Sequence, residues 1–309
     1  MTVAAEPQFL DSSPLYEAQD WEGLRRRGKE EGYLFFKQLL PKEELLNLRR
    51  DMLGVVKKHG WLDSEADPDS GILNVEALNT VPDEAMRLDI GVSHEAYDDV
   101  QKLQSFHRLP HHPRLLHLYQ GLFGKDVLVH PRHIGRMITP HPGMHPTPQH
   151  QDFPLIQGTG NTWTCWFPLG DCPKELGGLI VLRQSHKLGY VPIEPAVGAG
   201  EIAAQLCPGE DVWVQGEYEM GDVLTFPCHT IHKALKCQYK DRIRLSLDVR
   251  YQPRDEVVEY KSLLPHCDLS WEQIYKGWDS DDLKYYWREN NLKISPWDPN
   301  LMQPGRRIC

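Results

Sequence analysis

The chain has 309 residues, 40% apolar and 25% charged, a composition that fits a folded globular protein and excludes a disordered or fibrous one. Lys plus Arg number 34 against 44 Asp plus Glu, and the resulting net charge of −10 argues against general nucleic-acid binding, which relies on clustered positive charge. No apolar run approaches the roughly 18 residues of a membrane span, and Met1–Pro14 lacks the basic start and apolar stretch of a signal peptide, so a cytoplasmic protein is expected.

The first third reads as helical. Asp20–Glu31 is charged and free of β-branched residues, and Gly32 ends it. Tyr33–Phe36 follows as a short strand. Pro41 stands at a helix start, with Glu43 and Glu44 where carboxylates suit the positive end of the helix dipole. Leu45, Leu46, Leu48, Met52, Leu53 and Val56 form a helical stripe that runs to about Gly60. Asp63–Asn79, rich in Asp, Gly, Ser and Pro, reads as a loop. Two further helices are expected near His94–Phe106 and His112–Leu122, the second closed by Gly124.

The pattern changes after Gly124. Asp126–His130, Thr162–Phe167, Gly178–Leu182, Asp211–Gln215, Asp222–Phe226 and Arg242–Tyr251 are short runs of β-branched and aromatic residues separated by Gly, Pro and Asp. Repeated short strands of this kind imply a sandwich or a barrel. In the tail, Ser270 and Gln273 form a capping box, Gly277 breaks that helix, and Asp279 caps a second one through Tyr286. No repeat or Pro/Gly-rich linker divides the chain. It reads as one domain, residues 1–309: a helical part over about 15–124, an all-β core over about 125–253, and a helical extension over about 254–309. The seven cysteines are odd in number and contain no CxxC pair, so reduced thiols are expected rather than a disulfide framework or a Cys-type zinc site.

Histidine, with 15 residues, is the unusual component. His150-Gln151-Asp152 follows a Pro-rich loop. On a strand, residues two apart share a face, so an imidazole and a carboxylate can reach one point. His232 lies just past the apolar strand Asp222–Phe226 and can supply a third ligand, with His229 as its competitor. Two histidines and one carboxylate make the facial triad of non-haem Fe(II) oxygenases, which leaves positions open for a bidentate α-keto acid and for O2. An HxD tripeptide alone is a weak signal. It gains weight from Arg244, twelve residues beyond His232, and from Ser246, two further on. Arg242, Arg244, Ser246, Asp248 and Arg250 share one face of an alternating run. A guanidinium and a hydroxyl on that face can grip the far carboxylate of a keto acid. A solvated strand face is the plain alternative, and Arg242 is a second choice for the clamp.

From His150 to Tyr251 the chain resembles the phytanoyl-CoA dioxygenase family of Fe(II)/2-oxoglutarate oxygenases. The matching pieces are His150-Gln-Asp152, Thr164-Cys-Trp-Phe-Pro168, Gly177–His186, Gly221-Asp222 ten residues before His232, and Arg244. Glu31–Pro41 and Leu122-Phe-Gly124 extend the likeness. The resemblance implies a mainly β protein with flanking α-helices, built on a double-stranded β-helix (a cupin-like jelly roll) of eight strands. It implies Fe(II) held by His150, Asp152 and His232. It further implies 2-oxoglutarate held by Arg244 with Ser246 assisting, and Trp166 against the cofactor. The family's Gly-Ser pair after the distal histidine is here Lys233-Ala234, and its Pro-Gly-Ser-His turn is Arg183-Gln-Ser-His186.

The activity expected is hydroxylation of an unactivated C–H of a small molecule, with O2 and 2-oxoglutarate consumed, by a monomer or homodimer. Desaturation, epoxidation or ring formation would use the same ligands, and a non-catalytic metal-binding jelly roll is the rival reading. His186 is expected to brace a turn, and His141 and His145 to lie in a solvated or lid loop. Arg132, His133 and Arg136 should lie on a strand entering the site.

Overall fold

The computed structural model describes residues 7–289 and 291–309. The reading of Met1–Pro14 as free of a leader therefore falls partly outside the described residues. Eleven strands build the β core: β1 Leu34–Phe36, β2 Val127–Val129, β3 Ile134–Ile138, β4 Trp163–Pro168, β5 Leu179–Leu182, β6 Ile193–Pro195, β7 Ile202–Ala204, β8 Trp213–Val214, β9 Val223–Pro227, β10 His232–Ala234 and β11 Arg244–Pro253. The main sheet runs β1-β9-β4-β11-β2, and β3 pairs with the other half of the long β11. A second sheet, β8-β5-β10, faces it, and β6 pairs with β7. All these pairings are antiparallel, as a jelly roll requires.

Strand alternation sorts the side chains into two cores. Leu34, Phe36, Cys165, Phe167, Val223, Leu245, Leu247 and Val249 face outward and pack under the helices. Phe35, Trp166, Leu224 and Phe226 point the other way, into the barrel, where they meet Leu179 and Val181 of the second sheet. The helices that cover the outer face form where the spacing places them. Trp21–Glu31 is capped by the Asp20 side chain and ends at Gly32, whose φ of 83° is open to glycine at little cost. Lys42–Lys58 buries Leu45, Leu48, Met52, Leu53 and Val56. Pro113–Phe123 buries Leu115, Leu118, Tyr119 and Leu122 and ends at Gly124.

Several expectations are corrected. The β core is not confined to 125–253, because β1 closes one edge of the main sheet. The 63–79 loop contains one helical turn, Val75–Leu78, capped by Asn74. The helix expected over 94–106 is two, His94–Gln101 and Gln104–Arg108, because His107 Nε2 turns back to donate to the Gln101 carbonyl at 2.9 Å.

The extension beyond 254 is mostly irregular. The Ser270 capping box is present over Trp271–Ile274, but no helix runs from Asp279 to Tyr286. Tyr285 has φ 54°, which stops a helix, and Asp282 is drawn to Arg108 at 2.9 Å. Cys207 and Cys309 form a disulfide, against the expectation of reduced thiols throughout, while the other five cysteines are free. The pair is 102 residues apart in sequence and meets because the tail folds back, with Arg307 gripping Glu210 and Gln205. Among the described residues no helix is long and apolar enough to cross a membrane.

Candidate active site

His150 and His232 are held face to face by the backbone. The two residues form a β-bridge outside the regular strands, exchanging N–H···O bonds of 2.9 and 3.0 Å. Residues paired in this way project their side chains on the same face, and the two rings lie 4.2 Å apart between centroids. Each Nδ1 sits against the carbonyl two residues back, Pro148 for His150 at 2.8 Å and Thr230 for His232 at 3.0 Å. A carbonyl only accepts, so each Nδ1 carries the proton and each Nε2 presents a lone pair. Both lone pairs face Asp152 Oδ1, at 3.6 Å from His150 and 3.9 Å from His232.

Asp152 is not on a strand, as the HxD reading assumed. Its backbone is helical, at the start of the turn Phe153–Ile156, and that bend brings the carboxylate under the two imidazoles. Gln151 points away from them. Its amide donates to the carbonyls of Gly189 and His229 at 2.7 Å each, and its oxygen accepts from the Val191 N–H, which fastens the turn to two neighbouring loops.

His150, Asp152 and His232 are all buried, and their ligating atoms lie within 4.8 Å of one another. Two side chains to which the sequence reading gave no role hold the carboxylate. Thr164 of β4 donates to Asp152 Oδ2, and Arg250 of β11 places Nη2 3.2 Å from both oxygens. Burial opposes charge on Asp152, but the Arg250 guanidinium outweighs it and holds the carboxyl well below its ordinary range. Burial lowers the His232 pKa to about 4, which leaves the ring neutral and able to ligate. His229 is outside this group, half-buried and stacked on Phe153 at 4.4 Å.

The alternating face of β11 is not solvated. All ten of its residues are buried, and the polar ones face the inside of the barrel. Arg244 donates through Nη1 to the Gly177 carbonyl, while its Nε has no partner. Ser246 Oγ and the Trp166 indole N–H are likewise buried without partners. Arg242 lies before the strand, exposed and stacked on Tyr239. Three unsatisfied donors in one interior are costly unless an acceptor completes them, so the donor set fits a carboxylate. A cavity of about 680 Å³ opens beside Arg244, and one of about 300 Å³ opens beside His150 and Asp152; Thr147 lines both.

The remaining predicted positions divide. Arg136, on β3, pairs with Asp248 at 2.9 Å. His133 is buried in a histidine cluster with His107 and His111. Arg132 reaches the wall of the smaller cavity. His141, expected in a solvated or lid position, is buried and tied to the Val81 carbonyl at 3.1 Å, which anchors the Pro-rich loop; His145 is exposed. His186 braces a turn through the Lys29 carbonyl.

A jelly roll with a buried His-Asp-His cluster inside it defines a mononuclear non-haem iron oxygenase. The chain belongs to the phytanoyl-CoA dioxygenase (PhyH) family, which it matches over residues 28–238, and is an Fe(II)/2-oxoglutarate-dependent dioxygenase. It is 27% identical over 271 residues to the 1-deoxypentalenic acid 11-beta-hydroxylase of Streptomyces exfoliatus, covering 83% of this chain and 89% of that one. Among solved structures, the fold is similar to that of the epimerase SnoN, determined with Fe3+, alpha-ketoglutarate and nogalamycin RO. That match has a TM-score of 0.54 and 20% identity, and covers 78% of this chain and 86% of SnoN. It is also similar to the non-heme monooxygenase ThoJ, with a TM-score of 0.52, 15% identity and coverage of 81% and 92%.

Proposed function

We propose that the protein hydroxylates an unactivated C–H bond of a small-molecule substrate. His150, Asp152 and His232 would hold Fe(II), and Arg244, Ser246 and Trp166 would hold 2-oxoglutarate. The observation that carries this reading is the pair of Nε2 lone pairs converging on Asp152 Oδ1 in a buried site. Bound iron and 2-oxoglutarate supply the oxidation, in which O2 converts 2-oxoglutarate to succinate and CO2 and its second oxygen atom enters the substrate.

The chain's own groups do the rest. Pro148 and Thr230 fix the tautomers of the two histidines. Thr164 and Arg250 fix the rotamer of Asp152. Arg244, Ser246 and Trp166 offer N–H and O–H groups to the distal carboxylate from the inner face of the barrel. The hydroxylase named among the relatives supports hydroxylation over the other outcomes of the same chemistry. The proposal takes residues 1–309 as one domain, acting in the cytoplasm as a monomer or homodimer. The test is to load the protein anaerobically with Fe(II) and 2-oxoglutarate, admit O2, and screen a metabolite library for substrate-triggered succinate. The reading predicts succinate that requires both additions; none with any substrate, and no 2-oxoglutarate binding, would leave a non-catalytic jelly roll.

A further inference from the structure

The smaller cavity has a charge opposite to that of the chain around it. Its wall carries Arg132, Arg136, Arg250 and Lys261 against Asp89 and Asp152, in a protein with a net charge of −10. Part of this is settled internally: Asp89 pairs with Arg87 at 2.8 Å, and Arg136 with Asp248 at 2.9 Å. Arg250 lies on Asp152, and its buried Nε has no partner. Arg132 and Lys261 have no carboxylate within ion-pair distance among the described residues. Arg132 donates only to the carbonyls of Leu264 and Pro265. Lys261 lies over the Trp297 ring at 3.8 Å. Glu259 feels both cations, but its carboxylate takes the Lys261 backbone N–H and pairs with neither side chain. His266, in the same wall, is held neutral by burial and by the surrounding arginines.

Position adds to charge. Arg132 and Lys261 line both this cavity and the more open basin of about 800 Å³ beside it, so they stand where the two meet. Ile134, Leu155, Ile156 and Trp297 add an apolar patch to a wall otherwise made largely of polar and charged side chains. Cations at the junction and an apolar patch in the same wall suit a molecule with an anionic end and an apolar portion. Arg132 spends only Nη1 on those carbonyls, so its other N–H groups and the Lys261 ammonium can meet a carboxylate.

We infer that this cavity takes a substrate that bears a carboxylate and an apolar portion, and that Arg132 and Lys261 recognise that carboxylate. The inference rests on the proposed placement of the iron at His150, Asp152 and His232, but its test is separate. Binding is measured by calorimetry under nitrogen, with and without Fe(II) and 2-oxoglutarate. The probes are dodecanoate and 1-adamantanecarboxylate, each against the alcohol of the same skeleton. Saturating 2-oxoglutarate keeps the probes off Arg244.

The acids should bind roughly ten- to hundredfold more tightly than the alcohols. Arg132→Gln and Lys261→Met should each remove about tenfold of that preference while alcohol binding and melting temperature stay near wild type. Lys125→Gln, an exposed residue paired with Asp255 on another surface, should keep the preference. Equal affinity for acid and alcohol, no binding of either, or a preference that survives in Arg132→Gln and Lys261→Met overturns the inference. Tighter binding of dodecanoyl-coenzyme A than of dodecanoate overturns it too. Acid preference without any Fe(II)-dependent succinate would instead leave the inference standing and remove the proposed activity.

Discussion

The Thr164 hydroxyl donates to Asp152 Oδ2, which leaves Oδ1 turned toward His150 Nε2 at 3.6 Å and His232 Nε2 at 3.9 Å. Oδ2 thus takes bonds from Thr164 and Arg250, while Oδ1, shared only with Arg250, is the oxygen that faces the two imidazoles. Thr164→Val keeps the side-chain shape and removes only that bond. Partners that orient a ligating side chain are worth about 10- to 100-fold in metal affinity. A loss of that size is expected in Fe(II) or Mn(II) titrations of the variant. Undiminished affinity would mean that Arg250 alone holds the carboxylate.

Asp152→Ala should abolish turnover, because iron loses its one anionic protein ligand. It should also destabilise the metal-free protein, since Arg250 is 6% exposed and loses its carboxylate. Breaking a buried pair in this way costs on the order of 3–5 kcal/mol. Urea unfolding of the metal-free variant measures it. His232→Ala should weaken iron binding far more than His229→Ala, and the reverse ranking would reassign the distal ligand.

Arg244→Ala should leave iron binding nearly intact and cut 2-oxoglutarate affinity by about 30-fold to several thousand-fold, the equivalent of roughly 2–5 kcal/mol. Arg244→Lys should recover part of this, because an ammonium cannot reproduce the guanidinium fork. Arg242→Ala should have little effect, since Arg242 is exposed against Tyr239. The metal-to-ligand charge-transfer band, titrated under nitrogen, reports all three. A large loss in Arg242→Ala with none in Arg244→Ala would move the clamp.

What was legible in the sequence was what local pattern encodes. The helical stripe of Lys42–Lys58, the alternation of β11 and the spacing of His150, Asp152, His232 and Arg244 each follow from a period or an offset. What escaped depends on distant partners. Thr164 and Arg250 read as ordinary strand residues, and only the pairing of β4 with β11, Arg250 opposite Thr164, places both over Asp152. The sequence offers the polar face of β11 as a carboxylate clamp with a solvated face as the alternative, and only its cover, the second sheet from elsewhere in the chain, decides that it is buried. Asp279–Tyr286 reads as a helix locally, but the segment folds as turns with Tyr285 at φ 54°. Cys207 and Cys309 are joined only through the return of the tail.

The remaining histidines carry a pH prediction. His107, His130 and His133 are at most 5% exposed, and His111 stands beside His133. Burial lowers the pKa of His107 and His130 from 6.5 to about 4, and that of His133 well below its ordinary value. Their folded-state values are depressed, so the native protein keeps them neutral while the unfolded chain takes up protons as pH falls below 6.5. Their contribution is complete above that pH and is lost progressively toward 4, on the order of 3 kcal/mol for each of His107 and His130. Carboxylates add to acid unfolding only lower down, near their own range, so the interval from pH 6.5 to about 4.5 belongs to the histidines. Urea unfolding of the metal-free protein across that interval should show stability falling with the uptake of at least two protons. His107→Gln can still donate to the Gln101 carbonyl and should lower the slope by about one proton. Stability that stays level from pH 7 to 5 would mean that these rings titrate normally and are not sealed in the core.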